Sequence, residues 1–103
     1  MKVLSHGPAA RPDRPATELL HDENNARIIA FHLQPGQQVK PHRSESTVFV
    51  QVVAGGGWFR GESTQAYLTA GEGAVYEPGE LHSIDAGDTP LRFLAIITPR
   101  PAS

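Results

Sequence analysis

The strongest constraint on this chain is where its helix breakers fall. Ten glycines and nine prolines are spread between short runs of Val, Ile, Leu, Phe and Tyr. Glycine loses backbone entropy in a helix, and proline lacks the amide that a helix interior needs. No stretch of about twelve residues keeps a helical apolar stripe free of both. Short apolar runs separated by turn residues about every eight to twelve positions are instead the pattern of an antiparallel sandwich or barrel.

Read in order, Ala16 to His21 is a short strand or one helical turn, and Asp22-Glu23-Asn24-Asn25 is a turn by composition. Arg27 to Leu33 is a β run ended by Pro35-Gly36. Thr47 to Val53 is the most β-branched run, ended by Gly55-Gly56-Gly57, which reads as a flexible turn. Trp58 to Arg60 and Gln65 to Leu68 flank Gly61-Glu62-Ser63 as a hairpin-like pair. Ala74 to Tyr76, Leu81 to Ala86 and Leu91 to Thr98 complete the set. The expected fold class is therefore all-β and antiparallel. A length of 103 residues fits one domain: an extended arm over 1–15, the β domain over 16–98 and a tail over 99–103.

Charge and residue usage remove several functions. Nine basic against eleven acidic side chains, a formal net charge of -2, leave no electrostatic footprint for nucleic acid or an anionic membrane. The absence of cysteine excludes disulfides, thiolate metal sites and cysteine nucleophiles. No apolar run approaches the roughly 18 residues of a membrane helix, and the first fifteen residues lack an apolar core of signal-peptide length. A cytoplasmic location is expected.

Side chains two apart on a strand share a face. In the Thr47–Val53 run, Val48, Val50 and Val52 share one face, and Phe49 and Val53 the other. Two apolar faces suit a core on one side and a partner layer on the other, so a homodimer is expected.

Gly36 is followed after five residues by His42, with Ser44 two further on, then Val48 and Gly55. Gly71 leads to Glu77-Pro78-Gly79 and, after two residues, to His82, with Asp85 nearby. In this order the residues resemble the two motifs of small single-domain cupins. The resemblance implies a jelly-roll barrel, or double-stranded β-helix, whose interior holds a divalent metal on three histidines and a glutamate. Here only His42 and His82 stand at ligand positions; Ser44 replaces a histidine and Val48 the glutamate. A neutral hydroxyl is a weak ligand beside imidazole or carboxylate, and two imidazoles fall short of the three protein ligands usual in catalytic sites. Zinc, iron, manganese or nickel would need a recruit from Glu45, Glu77, Glu80 or His32. Regular alternation points Glu45 away from the face of His42 and Ser44.

Three functions stay open. One is a small-molecule-binding cupin whose pocket contains His42, Ser44, Val48, Val50 and His82, with His42 and His82 holding a metal weakly. Another is a metal-dependent dioxygenase or isomerase using His42, His82 and a recruited carboxylate. A third is a non-catalytic assembly or regulatory module with a collapsed pocket.

Overall fold

A computed structural model describes residues 1–101; the last two residues of the expected tail lie outside the described ones. The described residues form eight strands and no helix: β1 (Ala16–Asp22), β2 (Arg27–Leu33), β3 (Gln38–His42), β4 (Thr47–Arg60), β5 (Gln65–Thr69), β6 (Gly73–Tyr76), β7 (His82–Asp85) and β8 (Leu91–Thr98). Among the described residues no helix is long and apolar enough to cross a membrane. Neighbouring strands run in the order β1-β2-β8-β4-β7-β3, with β5 and β6 also on β4, and every pairing is antiparallel. The all-β expectation holds, and the ambiguous Ala16 segment is a strand.

Two assignments are corrected. Gly55-Gly56-Gly57 is not a turn between two strands, because β4 runs unbroken for 14 residues through it. Up to Gly55 β4 pairs with β8 and β6; from Gly56 onward it pairs with β5 and, from Trp58, with β7. The triplet is the bend at which one strand passes from one sheet to the other. Glycine is required there by close backbone passage: a Cβ on Gly55, whose φ is +73°, would lie 1.7 Å from the carbonyl oxygen of Pro90. A Cβ on Gly57 would lie 2.6 Å from that of Asp85. The second difference is β3, which the strand pattern of the sequence does not include. Gln38, Lys40 and Pro41 give it no apolar alternation, and its position at one end of the strand order makes this tolerable.

The two sheets share one core, with Val48, Val50, Val52, Phe59, Ile84 and Phe93 among its buried members. Phe93 stacks flat on Phe31 and meets Phe59 edge-on, at ring centroids of 4.6 and 5.3 Å. Alternation in β4 is therefore real. Its valine face is buried, while Phe49 and Val53, with Val75 of β6 beside Phe49, stay exposed on the opposite face. The arm before β1 lies along its own chain: the Pro8 carbonyl accepts from Arg92 and bonds Nδ1 of His32, and the Arg11 carbonyl accepts from Gln37.

Candidate functional site

The inner face opens into a cavity of about 640 Å³. Its walls are apolar side chains from both sheets, Ile29 and Phe31 of β2, Val48 and Val50 of β4, Ile84 of β7 and Phe93 of β8 among them. One end is ringed by polar groups from the β3–β4 loop and from the tail after β8. Val52 packs in the core but does not line the cavity.

Two histidines meet in its wall. His42 and His82 are register partners across β3 and β7, and their rings lie edge to face with centroids 4.1 Å apart. A bulge sets this up. Between the pairs Val39–Ile84 and His42–His82, β3 advances three residues while β7 advances two. The extra residue restores His42 to the inward face that Val39 occupies, so both line the cavity although they are three apart. Pro41 sits within the bulge, where its missing amide costs no ladder bond.

The rings are held alike. Nδ1 of His42 lies 2.9 Å from the Lys40 carbonyl, and Nδ1 of His82 lies 3.1 Å from the Glu80 carbonyl. A carbonyl oxygen only accepts, so each Nδ1 carries the proton. In the neutral ring that leaves the Nε2 lone pair free. His82 is buried and lies against Tyr76, ring centroids 4.4 Å apart and nearly parallel. The Tyr76 hydroxyl is buried without a hydrogen-bond partner among the described residues, and burial, with the nearby Glu80 charge, pushes its pKa up to about 12.

Desolvation pulls the His82 imidazole below its ordinary 6.5, and the neighbouring His42 adds to this against the bond to the Glu80 carbonyl and the Glu80 charge. The folded protein thus favours neutral His82. Above pH 6.5 neither folded nor unfolded chain holds this proton, so the group is silent. As pH falls below that value the unfolded chain binds it while the folded chain resists, and stability is lost down through the folded pKa. Urea unfolding between pH 7 and 5 is expected to show this slope, at most about 1.4 kcal/mol per pH unit from one group. His82→Gln should flatten it; an unchanged slope would assign the dependence elsewhere.

The other expected site residues separate. Ser44 lines the cavity, but its hydroxyl accepts from the Ser46 amide and so shapes the loop. Glu45 also lines the cavity, against the alternation argument, because residues 43–46 are loop and not strand. Arg43 lines the cavity too, with Nη1 bonded to Glu62 and the Gly79 carbonyl. Glu77, Glu80 and His32 do not line the cavity. Glu80 accepts from the Glu77 amide, and Asp85 pairs with Arg60 on the far side of β7. Among the described residues no three of His, Cys, Asp and Glu come together as a metal site. Two imidazoles with Val48 and Ser44 therefore do not make the donor set of a tightly held catalytic metal. Sequence reading missed Ile29 and Phe31 as lining residues, and with them Arg27 and Arg100. The first three were visible as an alternating stripe on one strand; the last comes from the tail and gave no signal.

Residues 30–97 match the Cupin domain family. No curated protein matches. An RmlC-like cupin protein from Desulfovibrio desulfuricans is similar at 26% identity and TM-score 0.86, over 96% of this chain and 97% of that one. A conserved protein with a double-stranded β-helix domain from Klebsiella pneumoniae shares 21% identity at TM-score 0.88, over 100% and 94%. A predicted oxalate decarboxylase from Thermotoga maritima shares 24% at TM-score 0.81, over 95% and 99%. The barrel of this chain is thus a double-stranded β-helix.

Proposed function

The chain belongs to the cupin domain family, and from that premise we propose that it binds a small organic molecule inside its barrel without needing a metal. The observation that carries this reading is an apolar cavity of about 640 Å³ with two imidazoles converging in its wall. Small-molecule sites occupy roughly 300–1,000 Å³ and pair apolar walls with a few converging polar groups. The walls would hold the body of the ligand. Nε2 of His82, kept neutral by burial, accepts a hydrogen bond from a ligand hydroxyl or amine and is placed to take its proton.

This reading differs from a metal-dependent dioxygenase or isomerase in its demand on donors. A metal-dependent enzyme needs a third protein ligand, which Val48 does not supply; the Thermotoga maritima neighbour is a predicted oxalate decarboxylase. The collapsed-pocket alternative requires a filled interior, and the cavity speaks against it.

Filling the cavity tests the proposal. Val50 is 1% exposed and lines it, so Val50→Trp is expected to abolish the fluorescence gain of an apolar dye that the native protein takes up. Undiminished dye uptake in a folded variant would end the reading.

We also infer that the exposed face of Phe49, Val53 and Val75 seats a second copy of the chain. Light scattering should give about twice the 11.1 kDa chain mass. A monomer at micromolar concentration would remove the pairing and leave the cavity reading intact.

A further inference from the structure

At the polar end of the cavity two arginines share a single carboxylate. Oδ1 of Asp22, at the end of β1, lies 3.3 Å from Nε of Arg27 and 3.1 Å from Nε of Arg100. Two guanidinium groups share one carboxylate oxygen, so this cluster carries one positive charge in excess. Both arginines meet Asp22 through Nε, and among the described residues their terminal nitrogens make no other ion pair or side-chain hydrogen bond. Both also line the cavity. Arg27 continues the inward stripe of Ile29 and Phe31 on β2, two residues per step, so an apolar wall leads straight to a guanidinium.

Arg100 is held in place by the chain around it. The buried Ser46 hydroxyl donates to the Pro99 carbonyl at 2.7 Å, and the Arg100 amide donates to the Asn24 carbonyl at 3.3 Å. The neighbouring charges differ. Arg43 is committed to Glu62 and the Gly79 carbonyl. Glu45, the one carboxylate lining the cavity, makes no ion pair among the described residues and belongs to the β3–β4 loop. Glu45 offsets one charge of the cavity lining as a whole, so the positive excess is local to the Arg27–Arg100 pair, where planar donors are available to two acceptor oxygens.

The geometry points to a carboxylate-bearing ligand: Arg27 and Arg100 bind its carboxylate at the mouth while its apolar body runs inward along Ile29 and Phe31. This rests on the cavity-binding reading and specifies its ligand class. It also gives Asp22 a definite role, orienting both arginines while partly neutralising them.

Octanoate and octanol share one apolar body and differ in the head group, so calorimetric titration with each separates the cavity from its mouth. Native protein is expected to bind octanoate about tenfold more tightly than octanol, as one added charge-assisted contact implies. Salt should narrow the gap, because the arginines are partly exposed. The double variant Arg27→Gln/Arg100→Gln should lose the gap and keep its affinity for octanol, which reports that its cavity is intact. Asp22→Asn should widen the gap, since it removes the competing negative charge; a residue needed only to hold the fold would weaken both ligands. Equal affinities in the native protein, or a gap that survives the double variant, would overturn the arginine assignment and leave the cavity reading standing. Failure of both ligands to bind would overturn the two together.

Discussion

Gly55→Ala is expected to cost about 4 kcal/mol or more and to leave a protein that scarcely folds. Two effects act together. At a φ of +73° an alanine is strained by about 1–2 kcal/mol. The added methyl would also meet the Pro90 carbonyl oxygen at 1.7 Å and its carbon at 2.9 Å. These are backbone atoms, so relief requires β4 and the segment entering β8 to separate at the Gly55–Leu91 pair. That pair lies where β4 leaves one sheet for the other, and separation there loosens both. A domain of this size has roughly 5–15 kcal/mol of stability in total, and losses above about 4 are rare outside such clashes. Thermal melting should fall by about 15 °C or more. Gly36→Ala is the control: its φ of +82° imposes the same backbone strain, but no atom lies within 4 Å of the added Cβ. It should cost about 1–2 kcal/mol. If the two variants melt together, the close passage of β4 beneath Pro90 is not what glycine serves.

The same position marks how far the sequence could be read. Turn residues and alternation carried the fold class, because both are local: Pro35-Gly36 and Pro78-Gly79 punctuate the chain, and the valine face of β4 is fixed by a two-residue period. The glycine triplet reads wrongly as a turn for a physical reason. Glycine serves a tight turn and a close backbone approach equally well, and only the position of Pro90, far along the chain, decides between them. Strand β3 escaped because an edge strand with a bulge need not alternate. That bulge also governed the site. Counting along an ideal strand places Glu45 off the face of His42, whereas the strand ends at His42 and the loop returns Glu45 and Arg43 to the cavity. The histidine pair was legible because it depends on two turn-anchored positions in distant segments. The Asp22–Arg27–Arg100 cluster was not, since its third member is brought to the cavity by the path of the tail.

Val48→Glu is expected to turn the histidine pair into a metal site. Val48 is buried and lines the cavity shared by His42 and His82, and both imidazoles direct Nδ1 to backbone carbonyls, leaving Nε2 for an incoming cation. Holding the other ring nitrogen on a carbonyl is how proteins orient metal-binding histidines. The missing part is a third ligand with charge, and two histidines with one glutamate form a known zinc-binding set. Zinc titration of the variant should show affinity on the order of a hundredfold above that of the native protein, about 2.7 kcal/mol. Stability should move in the opposite sense without metal. A carboxyl placed in this largely apolar wall, with uncharged imidazoles as its polar neighbours, should cost a few kcal/mol, and zinc should restore the loss by binding only the folded form. Adding His82→Ala to Val48→Glu should remove both the affinity and the rescue. If zinc affinity instead stays at the native level, position 48 does not share a pocket with the imidazoles, and the apolar wall assigned to β4 must face elsewhere.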